Sequence, residues 1–490
     1  MRNIVVICLL LMELAIHASC TSVSATLPNS NDFQALEIYS MLEMFVDYYL
    51  IDKMQNVELK LHHPQPAEIV IKFDKPWEGR YCGYVTVMKD DGVFRMYYRG
   101  LPLSRHGQEY EVTCYAESKD GITWTKPNVG LYEIQGFREN NVILAQTEAS
   151  SHNFCPFLDA RPGVPAAERY KAVGGSGKTG LVAYISEDGI HWKKLRDEPI
   201  LTKGAFDSQN VSFWSERENC YVCYFRTWTE GEYKGFRTIS RATSNDFLNW
   251  SEAVQMSFGD TPLEHLYTNQ TQPYFRAPHL YVAVAARFMP NRRVVTVEQA
   301  KAFGGEARYS GDCSDGVLMT SRGGNQYDRI FMEGFIRPGI GLTNWTSRTN
   351  YPALGIVPTS STEMSLYIQK NYGQLTHHLR RYRLRIDGFV SVNAPYEGGE
   401  MLTKPLKFAG RELVINYSTS AAGGLRVEMQ DETGKPIPGY SIDNGDEIIG
   451  DEIERVVSWQ GDADVSQLAG QPVRLRFVMK DADLYSLRFR

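Results

Sequence analysis

The sequence predicts an all-β protein, a five-bladed β-propeller followed by a C-terminal β-sandwich, with a short N-terminal helix ahead of both. Three observations carry this expectation. A heptapeptide recurs as SKDGITW at 118–124, SEDGIHW at 186–192 and SNDFLNW at 244–250. Its spacing of about 60–70 residues is a repeat period, and each copy closes a unit of four strand-like runs, the make-up of a propeller blade. After Gly398 the repeat stops, and alternating runs separated by Gly, Asp and Pro read as a sandwich. Composition agrees, with aromatic residues at 12 %, 28 Tyr and 41 Gly, suited to pleated faces and tight turns.

Residues 1–25 read as a signal peptide. Arg2 is the positive end, Ile4 to Met12 the apolar stretch, and Val23 and Ala25 the small residues before cleavage. The alternative is lipid attachment at Cys20, although His17 stands where an aliphatic residue is usual. The apolar run falls short of the roughly 20 residues a spanning helix needs, and no later segment supplies them. Either route predicts a secreted or periplasmic protein. Residues 26–64 hold the expected helix, with Leu36, Tyr39, Leu42, Val46, Tyr49 and Leu50 at helical spacing.

The propeller is expected over 65–397. In each repeat the Asp-Gly pair suits a turn with positive φ, the Asp side chain bonds nearby amides, and the Trp packs back between strands. Asp120, Asp188 and Asp246 are therefore scaffold. SRGGNQY at 321–327 and LRIDGF at 384–389 are degenerate fourth and fifth copies. The sandwich takes 398–490, in runs such as ELVINYST, LRVEMQD and VRLRFVM. Cys82, Cys114, Cys155, Cys220, Cys223 and Cys313 read as small buried hydrophobes, with export permitting a disulfide. Cys220 and Cys223 fall on opposite faces of a strand, so no metal site is expected.

Five blades with these turns and a sandwich on the same chain resemble the furanosidase-type β-propeller glycoside hydrolases, the families of invertases, inulinases and arabinanases. The resemblance is architectural and spans nearly the whole mature chain. Its catalytic motifs diverge: KPWEGRYCG (75–83) stands where the invertase WMNDPNG would be, and SHNFCP from 151 replaces RDP. AFDSQN (205–210) keeps an acidic residue. A carbohydrate-active role is what this resemblance implies. No cofactor is called for, although some relatives carry Ca²⁺ on the axis.

Inner strands of a propeller all start on one face, where substrate pockets sit. The residues leading into them are Glu78 and Arg80, His152 and Asn153, Asp207, Gln209 and Asn210, Asn269 and Gln272, and Arg348 and Asn350. Glycoside hydrolysis asks for two carboxylates, and Asp207 and Glu78 are those present, hence the expected catalytic pair. Glu306, Asp312 and Asp315 in the long blade-four loop are reserves, with Asp315 also an expected substrate contact; Glu363 reads as structural. Arg99, Arg226 and Arg287 end equivalent second strands, with Lys370 at that place in blade five and Arg348 nearby. Their convergence would suit a carboxylate or sulfate; the alternative is pairing of each with a neighbouring blade's carboxylate. His152, Asn153, Gln209 and Gln272 complete the expected substrate contacts. His377 and His378 have no partner at ligand spacing and read as hydrogen-bonding groups.

The expected function is an exported glycoside hydrolase, exo-acting in a pocket on the axis, on a uronate or sulfated sugar. One alternative is a non-catalytic carbohydrate-binding propeller that has lost its acids. Another is a lyase or phosphorylase on the same scaffold. Carbohydrate is the expected partner; a net charge of −6 gives no footprint for nucleic acid.

Overall fold

Five antiparallel sheets surround one axis, and a sixth sheet system forms a separate β-domain. The computed structural model describes residues 35–100, 111–145, 149–231 and 233–490. The expected signal peptide and Cys20 lie outside the described residues.

Blade one runs from the inner strand Gly83–Asp90 through Val93–Gly100 and Val112–Ser118 to Trp124–Thr125, with Val142–Leu144 added. Blade two is Cys155–Leu158, Tyr170–Ser176, Gly180–Ser186 and Lys193–Lys194, and blade three is Val211–Ser215, Cys220–Trp228, Arg237–Ser244 and Val254–Gln255. Blade four has a split inner edge, Leu266–Thr268 and Thr271–Tyr274, then Ala277–Met289 and Cys313–Ser321. Blade five comprises Tyr351–Pro352, Val357–Pro358, Glu363–Lys370 and His378–Arg385. Its outer strand is Gln65–Lys72, from the opposite end of the propeller, paired His378 to Lys72 and Leu379 to Ile71.

The repeated turn does in all three copies what its residues dictate. Asp120 Oδ1 accepts from the amides of Ile122 and Thr123 at 2.8 and 2.7 Å, and Ser118 Oγ accepts from Gly121 N at 2.9 Å. The carboxylate bonds recur around Asp188 and Asp246. Gly121 and Gly189 take φ of +73° and +74°, and Phe247 holds the equivalent place at +66°. Each turn also touches the blade before it. Trp124 packs edge-on to Tyr367 of blade five, whose hydroxyl donates to Gly121 O at 2.6 Å, and Trp192 packs against Tyr97 of blade one. The motif is thus the seam between blades.

Among the described residues the expected N-terminal helix is not there. Leu36–Tyr39 pairs with Leu406–Phe408, Glu43–Met44 with the last strand, Ile51–Gln55 with Gly399–Thr403, and Glu58–Leu61 with Val390–Ala394. Ile38, Phe45, Leu50 and Ile51 enter the core of the β-domain. Tertiary pairing overrode the helical spacing, with Tyr39 and Asn56 at positive φ where the chain turns between strands. The β-domain is built on two long strands, Leu413–Asp431 and Val473–Phe489, which pair on both sides of a break near Gly424.

Asp387, in the degenerate fifth copy of the turn, joins the two parts. Fully buried, it accepts from Tyr274 Oη at 2.7 Å, Arg276 at 3.0 Å, Ser486 Oγ at 2.7 Å and Asn416 Nδ2 at 3.2 Å. Asp387→Ala leaves these donors without an acceptor and should cost about 3 kcal/mol or more in urea unfolding. Acid should loosen the seams. The Thr123 amide, with that of Ile122, holds Asp120 down to about 2; at Asp246 burial works upward but the hydrogen bonds from Asn249, Leu248 and Ser244 together outweigh it, again giving about 2. Folded values below the ordinary 3.8 mean a stabilisation present above pH 4 and lost as pH falls toward 2. Asp120→Asn should flatten that part of the stability–pH curve, read by tryptophan fluorescence.

Candidate active site

The inner edges of the blades meet in a ring of hydrogen bonds that closes the axis. Gln209 Nε2 of blade three donates to Val85 O and Thr86 Oγ1 of blade one, at 3.2 and 2.9 Å, and lies 3.6 Å from Cys155 Sγ of blade two. Gln209 Oε1 accepts from Gln270 of blade four at 2.8 Å, and the same amide donates to Pro352 O of blade five at 2.8 Å. Little space remains above this plug, about 20 Å³ bordered by Tyr84, Arg99, Arg348, Tyr351 and Tyr372.

A larger cleft, about 1300 Å³, opens beside it over blades two and three. Glu111, His152 and Asp207 line its inner wall, and Trp228 and Tyr233 an aromatic wall. Asp207 stands where cleft and axis meet. Its side chain is 48 % exposed and ion-paired with Arg226. Its carbonyl accepts from Tyr84 Oη at 3.1 Å. His152, in the single turn Ser150–Asn153, places Nδ1 2.7 Å from Glu111 and Nε2 3.3 Å from Asp207 O. Arg99 lies 3.3 Å from His152, donates to Tyr81 O at 2.7 Å and to Tyr372 Oη at 3.2 Å, and covers the Tyr84 ring.

Tyr267 is the centre of the positive charge. Arg226, Arg237 and Arg348 bring their guanidinium carbons to 4.9, 5.5 and 5.7 Å from its ring centre. Burial works to raise the Tyr267 phenol, but the Arg348 and Arg226 charges, with Arg237 adding to them, bring it below the ordinary range.

Several expected site residues stand elsewhere. Glu78 is sealed: its side chain has no exposure, pairs with Lys126 at 2.6 Å, and accepts from Tyr98 Oη at 2.6 Å and Lys75 N at 3.0 Å. It lines neither the plug cavity nor the cleft, because its loop turns it into the core of blade one. Asn153 is scaffold, bonded to Gly175 in both directions and to Ser208 O. Gln272 lies on the split inner edge of blade four; the break at Gln270, φ +50°, sends Gln270 to the axis instead. Arg287 forms a fork with Asp315 at 2.8 and 2.6 Å and meets Glu264 at 2.7 Å, so it does not join the other guanidinium groups. That pair borders a separate cavity of about 640 Å³ with Phe236, His265 and Trp345. Of the reserves, Glu306 pairs with Arg308, and Asp312 accepts from Asn291 N. Arg99, His152, Asp207, Gln209, Arg226 and Arg348 are the expected residues the fold does bring together.

Three residues here escaped the sequence reading. Glu111 immediately precedes the strand Val112–Ser118, Arg237 begins the strand Arg237–Ser244, and Tyr267 lies within an inner edge. The signal for Arg237 was present: it lies in the last pair of adjacent strands in blade three, opposite Trp228, and Arg226 lies two pairs further in.

No protein family and no curated protein matches the sequence. Among solved structures the chain is similar to a glycoside hydrolase at 12 % identity and TM-score 0.44, covering 66 % of this chain and 92 % of that one. It is similar to an N-acetylgalactosamine deacetylase from F. plautii at 13 % identity and TM-score 0.42, covering 67 % and 95 %. A third is a glycoside hydrolase family 43 arabinoxylan arabinofuranohydrolase from Bacillus subtilis, at 11 % identity and TM-score 0.38, covering 84 % and 96 %.

Because Glu78 neutralises a nearly buried lysine, Glu78→Gln should destabilise the fold by about 1–3 kcal/mol. The loss should appear in urea unfolding, while the cleft at Asp207 keeps its arrangement, since Glu78 does not line it.

Proposed function

We propose that the protein is an exported glycoside hydrolase that removes a terminal acidic sugar, a uronate or a sulfated unit. The observation that carries this reading is the junction at Asp207. There a half-exposed carboxylate and the Glu111–His152 pair border one cleft, and the guanidinium cluster around Tyr267 meets that carboxylate through Arg226. Hydrolysis needs a group that assists the attacking water and one that protonates the leaving oxygen. Asp207, ion-paired with Arg226 and half exposed, suits the first task. His152, positioned by Glu111, suits the second, and Trp228 and Tyr233 offer faces on which sugar rings stack. The closed axis favours attack at a chain end, since no chain can thread past the Gln209–Gln270 plug. The leader-like residues 1–25 support export.

A carbohydrate-binding propeller without catalysis is the second reading. The sealing of Glu78 favours it, because Asp207 then lacks a second free carboxylate.

Incubation with neutral, uronate-ended and sulfated oligosaccharides should release single acidic sugars. Asp207→Asn should lower that turnover by about 10²-fold or more, while binding persists. Tight binding with no product from the unmodified protein would establish the second reading.

A further inference from the structure

Three guanidinium groups around one phenol are an unbalanced arrangement. Arg226 has Asp207 as its partner. Arg348, held at φ +60°, donates to Tyr309 Oη at 3.2 Å. Arg237 makes no side-chain hydrogen bond or ion pair among the described residues; it is stacked 4.5 Å from Trp228, 4.8 Å from Phe288 and 5.5 Å from Tyr267. The Nε atoms of all three are buried and unbonded. Glu264, close by in sequence, is turned to Arg287 and Arg329 instead. His265 accepts from the Arg237 backbone amide at 3.1 Å. The remaining groups facing Tyr267 are the phenols Tyr84 and Tyr351, so one carboxylate stands against three positive charges.

Like charges at this spacing, half out of water, repel unless an anion joins them. We propose that Arg226, Arg237 and Arg348, with the Tyr267 hydroxyl as a further donor, form the subsite that holds the acidic group of the ligand. This rests on the acidic-sugar reading above and gives that group its place. Arg237 supplies the free guanidinium face, Trp228 and Phe288 keep it flat, and Asp207 limits the number of negative charges admitted. Carboxylate and sulfate both fit this chemistry.

A consequence for protons follows. In the free protein the three charges favour loss of the Tyr267 proton; an incoming anion offsets them, so the phenol regains its proton and can donate to the ligand. Anion binding in alkaline buffer should therefore be accompanied by proton uptake.

The test is calorimetric titration of the full-length protein with glucuronate, glucose and inorganic sulfate, at low and high salt. Glucuronate should bind at least about tenfold more tightly than glucose, lose affinity with salt, and be displaced by sulfate. Arg237→Gln keeps a flat side chain on Trp228 and removes the charge; it should weaken glucuronate by about tenfold or more and leave glucose unaffected. Tyr267→Phe should keep most of the affinity but abolish the proton uptake, and should remove the one phenolate that forms before the other tyrosines titrate. Unaltered glucuronate affinity in a folded Arg237→Gln protein would overturn the subsite while leaving the acidic-sugar reading intact. Binding of glucose in preference to glucuronate, or no binding of either, would overturn both. Displacement by sulfate but unchanged proton uptake in Tyr267→Phe would remove Tyr267 from the subsite.

Discussion

Two glutamine side chains tie five blades at the axis. Gln209 and Gln270 supply donors and acceptors to every blade, directly or through one another. A propeller has no central core of its own, since each blade packs mainly on its neighbours, and the axis would otherwise be a column of inward-facing backbone. An amide suits the place because one group can both give and receive hydrogen bonds, as Gln209 does. Both residues are buried, so every bond is made away from competing water. The plug also sets the depth of anything that binds on that face. Asp207 is two residues before Gln209, and Arg348 and Tyr351 border the cavity above it. The scaffold and the candidate chemistry therefore share the same short segments.

Charge is distributed by a simple division. Two guanidinium groups of the scaffold each carry two carboxylates, Arg287 with Asp315 and Glu264, and Arg322 with Glu43 and Asp47. Around Tyr267 the balance fails. Buried charges without partners are costly in any fold, and here the cost is concentrated at one mouth rather than spread around the ring. That local imbalance is the ground on which the proposed anion subsite rests.

The blades were legible because their turns are written in local chemistry. Ser, Asp, Gly and Trp at fixed offsets need no distant partner to specify the bend, and Asp207 was legible because it leads into an inner strand of a counted repeat. The N-terminal strands were not. Leu36, Leu42 and Leu50 fit a helical stripe as well as short extended pieces, and only partners more than three hundred residues away decide between them. Glu78 failed for a different reason. Its position in sequence marks the correct face, but whether a carboxylate turns outward or toward Lys126 depends on a loop conformation that no periodicity records. Arg287 shows the same limit: equivalence along the strand predicted its place, not the company of Asp315 across the ladder.

The strand Gln65–Lys72 has a consequence for how the chain comes into being. It is made first yet pairs with His378–Arg385, synthesised roughly 300 residues later, so the ring stays open through most of synthesis. During that interval it is an unsheltered edge, the kind that invites pairing with other molecules. Pro66, Glu68 and Lys72 break up its apolar run and discourage such encounters. In the finished ring Glu68 ceases to be a guard and becomes a clasp, bonded to Arg381 at 2.8 Å. One residue thus serves the nascent chain by repelling strangers and the completed propeller by recognising its own last blade.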